Sequence, residues 1–70
     1  MDKTIINAIS ENPSLLKSMS MEVQGNQELI LAAINGNAGV FEYVDERMQT
    51  NPDFITLAVK ENPLVIDFFP

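Results

Sequence analysis

This 70-residue chain contains no cysteine, no histidine and no tryptophan. Without cysteine there are no disulfide staples and no thiolate metal sites, and the strongest side-chain nucleophile is missing. Without histidine the most frequent general base and metal ligand are missing too, so Ser10, Ser14, Ser18 and Ser20 have nothing of that kind to activate them. Positive charge is scarce, with four Lys and Arg against ten Asp and Glu and a net charge of −6. Phosphate binding needs clustered cations, so no direct nucleic-acid partner is expected. Glycine numbers three, and the pair Gly36 and Gly39 reads as a turn between helices, not a phosphate-cradling loop. No series of alternating acids closes on glutamate as a calcium loop does. The longest apolar run, 29–34, falls far short of the roughly 20 residues of a membrane span. The chain also opens without a basic and then apolar leader, so no secretory signal is expected. Together these absences predict a cytoplasmic, non-enzymatic protein with no cofactor, no metal and no membrane partner.

The most informative residue present is asparagine. Asn12, Asn26, Asn37, Asn51 and Asn62 are spaced 14, 11, 14 and 11 residues apart, which predicts a 25-residue repeat. A shift of 25 superposes Ile5, Ile30 and Ile55; Ala8, Ala33 and Ala58; and Ile9, Ile34 and Val59. It also superposes Leu15, Val40 and Val65, then Leu16, Phe41 and Ile66. The predicted repeats run 2–26, 27–51 and 52–70, the last one short, within a single domain 1–70. Repeats of this size stack and place function on surfaces, not in a catalytic pocket.

Each repeat reads as two short helices. Positions 5, 8, 9 and 12 and their copies share one helical face. Asn51-Pro52-Asp53 is a helix start: asparagine accepts a bond from an orphan amide, proline fits the first position and aspartate opposes the dipole. Asn26-Gln27-Glu28 is the same device without proline. Asn12-Pro13 and Asn62-Pro63 start the second helices, and Gly36 is expected to end the first helix of repeat two in a left-handed conformation. The predicted fold is all-α, about five helices in a small right-handed array.

Candidate binding residues follow from charge and from the apolar third repeat. Residues 1–26 carry a net charge of −1 and residues 27–70 a net of −5. Glu42, Asp45 and Glu46, at i, i+3 and i+4, are expected on one helical face. Asp45-Glu46 would act as an acid–base pair only if buried with separated pKa values. The stretch reads instead as solvent-facing, with Arg47 paired to a neighbouring acid. Tyr43 is expected half-buried, with an interface anchor as the alternative. Met19 and Met48 are assigned to the core and Met21 to the surface. Phe68 and Phe69 either fold back over the last repeat or join Leu64, Val65 and Ile66 in an apolar edge that another chain covers.

The segments 26–37 (NQELILAAINGN), Phe41-Glu42-Tyr43-Val44 and 53–62 (DFITLAVKEN) resemble the helical repeats of the family called domain of unknown function DUF4116. The likeness is best over 26–70, and Lys17-Ser18 departs from the aromatic pattern in repeat one. It implies an α-helical array and assigns no activity. The expected function is therefore a small acidic module that binds another protein with a basic surface. A phage- or mobile-element-encoded inhibitor would have this character. A self-assembling unit that forms a homodimer is the second expectation.

Overall fold

Asparagine stands at both ends of two of the three long helices in the computed structural model, which describes residues 3–69. Five α-helices form: α1 (Lys3–Glu11), α2 (Met21–Gln24), α3 (Gln27–Gly36), α4 (Glu46–Gln49) and α5 (Pro52–Glu61). Three 3-10 helices alternate with them: η1 (Pro13–Ser18), η2 (Ala38–Tyr43) and η3 (Pro63–Phe68). The outer limits of the expected repeats, Asp2 and Pro70, lie outside the described residues. Asn26 Oδ1 accepts the Leu29 N–H at 3.2 Å and starts α3. Asn51 Oδ1 accepts the Asp53 N–H at 2.9 Å and starts α5. Asn37 and Asn62 cap η2 and η3 by accepting the Gly39 and Leu64 amides.

The chain is all-helical among the described residues, but the expected five helices are eight elements. The predicted second helix of each repeat is a 3-10 helix, and a one-turn α-helix follows it in repeats one and two. Four residues cannot display the i, i+7 spacing by which a helix is read from sequence, so α2 and α4 left no periodic trace. Their starts were nonetheless written at one repeat position. Ser20 Oγ accepts the Val23 N–H at 3.3 Å, and Asp45 Oδ1 accepts the Arg47 N–H at 2.8 Å. The 3-10 helices begin at 13, 38 and 63, and α3 and α5 begin at 27 and 52. Like elements pack on like: α1 on α3, α3 on α5, η1 on η2 and η2 on η3.

Gly36 does not end α3 in a left-handed conformation, as no described residue has a positive φ. Asn37 ends it in extended geometry at φ −157°, as Asn62 ends α5 at φ −154°. The glycine is there for space: a Cβ on Gly36 would lie 2.9 Å from Ser10 Oγ and 3.3 Å from Ser10 Cβ. Serine 10 donates its hydroxyl to the Ala33 carbonyl at 3.2 Å, drawing α1 close to α3.

The core comprises Ile9, Leu16, Leu29, Ile30, Ala33, Ile34, Ala38, Val40, Phe41, Val44, Phe54, Ala58 and Val65. Phe41 is its centre. Its ring stacks on Phe54 with centroids 6.3 Å apart and tilts against Phe69 at 5.0 Å. Phe68 and Phe69 thus fold back onto the core as half-buried rings, and Val65 is fully buried, so the expected five-residue apolar edge does not form. Of that edge only Leu64 and Ile66 are open, at 65% and 57% exposure.

Candidate functional site

Two asparagine side chains tie successive long helices to the segments that follow them. Asn37 Nδ2 donates to the Ser10 carbonyl at 2.8 Å, and Asn62 Nδ2 donates to the Ile34 carbonyl at 3.0 Å. These carbonyls sit in the last turns of α1 and α3, and that of Ile34 also accepts the Asn37 N–H at 3.1 Å. Each of the two asparagines therefore accepts from its own repeat and donates to the one before. That dual use selects the amide, since aspartate accepts but cannot donate. Asn12, in the first repeat, makes no side-chain cap bond, and its Oδ1 accepts the Ser14 hydroxyl instead.

Glu42, Asp45 and Glu46 do not share a helical face. Glu42 belongs to η2, Glu46 to α4, and the chain between them is extended at Val44 (φ −77°, ψ 161°). Glu42 and Glu46 are exposed. Asp45 is half-buried as the N-cap of α4 and forms an ion pair with Arg47 at 3.1 Å. The Arg47 side-chain hydrogen bond, and then the Arg47 backbone N–H, hold the Asp45 carboxyl below its ordinary value. The same hydrogen bond pushes the Arg47 guanidinium up. Tyr43 is half-buried against the core, as are Met19 and Met48, while Met21 is exposed.

Two shallow grooves lie on the outer surface. One, of about 330 Å³, runs between α2 and α4 and is lined by Met21, Gln24, Gly25, Asp45, Arg47 and Met48, among others. The second, of about 380 Å³, lies between α3 and α5 against Leu31, Ala32 and Glu61. In the first groove Met21 is 67% exposed and the Arg47 side chain 83% exposed. It thus sets two methionines beside a cation that is ion-paired to Asp45 at the surface.

Two glutamines at one repeat position went unnoticed in the sequence. Gln49 Nε2 lies within hydrogen-bonding distance of the Phe41, Glu42 and Val44 carbonyls, and Gln24 Nε2 donates to the Met19 carbonyl at 2.8 Å. They close the open carbonyl ends of η2 and η1, and their separation of 25 was the available signal. No groups of three or more potential metal-ligating side chains occur among the described residues. None of the described helices is long and apolar enough to cross a membrane.

The model of the family described as domain of unknown function DUF4116 matches this chain twice, over residues 3–49 and 26–70. The chain belongs to that family. The two matches share residues 26–49. No curated protein matches the chain, and no solved structure matches it.

Proposed function

We propose that this DUF4116 chain is a non-catalytic protein-binding module, a right-handed array of stacked 25-residue repeats that works in the cytoplasm. The 3-10 helices begin at 13, 38 and 63 and α3 and α5 at 27 and 52, and the packing of α1 on α3, α3 on α5, η1 on η2 and η2 on η3 supports the stacking. The absence of cysteine suits a reducing compartment.

The observation that carries the binding reading is the groove between α2 and α4. Methionine side chains adapt to varied apolar partners, which suits a recognition groove. Arg47 is pinned at the groove by Asp45, so it presents a guanidinium with little freedom left to lose on binding. Glu22, Glu42 and Glu46 are exposed nearby in sequence and belong to a chain of net charge −6. Such a field steers a basic protein surface toward the groove. A module of this kind inhibits its target when the covered surface is the target's own binding site, which fits an inhibitor encoded by a phage or mobile element.

Affinity capture from the native host with mass spectrometry supplies the partner, and two variants then test the site. Met21→Asp should weaken capture by about tenfold or more through loss of the apolar anchor. Glu42→Lys with Glu46→Lys should slow association and flatten its salt dependence. Circular dichroism should be unchanged in both, as all three residues are exposed. Full capture by both variants would sink this reading.

A further inference from the structure

The internal joints of this chain have a recurring chemistry, and its two outer faces carry the two halves of one more. At each joint an asparagine amide donates to a last-turn carbonyl of the preceding long helix. Asn12 has the same place in its repeat and similar backbone geometry (φ −140°, ψ 84°), yet no described residue accepts from its amide nitrogen. At the opposite face, the Glu61 carbonyl accepts Asn35 Nδ2 and the Ala58 carbonyl accepts the Asn62 N–H, but the Val59 and Lys60 carbonyls between them have no donor among the described residues. The residue four beyond Val59 is Pro63, which has no N–H, and the Leu64 N–H that could reach Lys60 goes to Asn62 Oδ1. A donor stands unused at one face and matching acceptors stand unused at the other.

Burial shows the same complementarity. Ala33, Ala58, Val40 and Val65 are fully buried, whereas the equivalent Ala8 and Leu15 are only half-buried. Leu16 and Phe41 are fully buried, whereas the equivalent Ile66 is 57% exposed. Charge follows the same order along two rows of exposed residues. Lys3, Glu28 and Asp53 occupy one repeat position, and Lys17, Glu42 and Asp67 another. Setting the α5–η3 face of one molecule on the α1–η1 face of another would put Asp53 beside Lys3 and Asp67 beside Lys17. Inside the chain the neighbours in these rows include two pairs of acids. Exposed pairs add little strength, so they select direction more than affinity.

We infer that this face receives a second copy of the chain, head to tail, with Asn12 Nδ2 donating to the Val59 or Lys60 carbonyl and Ile66 covered by the next molecule's α1 and η1. The joint repeats the geometry of the two inside the chain and does not depend on the groove between α2 and α4. It is weaker than the joint at Phe41. That residue meets Phe54, whereas Ile66 meets Thr4, which stands at the position of Leu29 and Phe54. Assembly is thus concentration-dependent. Because the two faces differ, it does not stop at a symmetric dimer.

Sedimentation velocity and light scattering on the 70-residue chain test this across a concentration series. The average mass of the wild type should rise with concentration past that of a dimer. Asn12→Asp, which removes the amide donor, and Ile66→Asp, which charges the apolar face, should each weaken association by about tenfold or more. Their equimolar mixture should form a one-to-one pair that grows no further, because each variant keeps the face that the other has lost. Thr4→Leu should tighten assembly about tenfold by restoring the apolar residue of the other repeats. Circular dichroism on each variant confirms the fold. A wild type that stays monomeric at about 1 mM overturns the inference. So does a dimer that Asn12→Asp leaves intact, which would mean the two α5–η3 faces pair with each other.

Discussion

At the scale of the residue, the asparagines at 12, 37 and 62 are identical in sequence and unequal in work. Asn37 and Asn62 each bridge two repeats, while Asn12 bonds only within its own. Asn37→Asp and Asn62→Asp should each destabilise the fold by about 1–3 kcal/mol, since an acceptor-only side chain is set against a helix-end carbonyl. Asn12→Asp should leave stability nearly unchanged. Urea unfolding midpoints separate the three, and a loss at Asn12 equal to that at Asn37 would contradict this assignment. The capping role was legible from Asn-Pro and Asn-x-Glu. The bridging role was not, because Ser10 is 27 residues from Asn37 and nothing local signals their approach.

At the scale of the element, α4 shows how four residues are held as a helix. Asp45 caps its start, pairs with Arg47, and Gln49 closes the carbonyls of η2 beside it. The carboxyl of Asp45 is depressed in the folded state from an ordinary value of 3.8. Its contribution is therefore fully present above the unfolded value and lost as pH falls through the lowered folded value. Acid unfolding followed by circular dichroism should show this segment loosening below about pH 4. Asp45→Asn should remove that part of the pH dependence while keeping a capping oxygen. An unchanged acid profile in the variant would mean that the ion pair contributes nothing. The pairing of Arg47 with a neighbouring acid was legible from adjacency. The shared face for Glu42, Asp45 and Glu46 was not real, because Val44 is extended and separates two helices that the i, i+3, i+4 rule takes as one.

At the scale of the whole molecule, the chain has 4352 Å² of accessible surface. A compact monomer of its 7.8 kDa mass exposes about 4,400 Å². Phe41 ties repeat two to repeat three through Phe54 and Phe69. Phe41→Ala should cost about 3–5 kcal/mol, a large share of the stability that a domain of this size has. Hydrogen exchange should then show α3, η2, α5 and η3 losing protection together. Protection retained in α5 and η3 would show that repeat three holds itself without repeat two.

Sequence alone determined the 25-residue period, the all-helical character, the asparagine starts and the apolar columns at Ile30, Ala33, Ile34 and Val40. All of these depend on local chemistry, on capping geometry and on which residues share a helical face. Tertiary structure alone decided which members of a column are covered. Leu16, Phe41 and Ile66 read alike in sequence, yet two are buried and one is open, because burial depends on what packs against a face and not on the face itself. It also decided that Gly36 makes room for Ser10, and that Phe68 and Phe69 turn inward. Those outcomes follow from distances between segments some 25 residues apart, which no local pattern encodes.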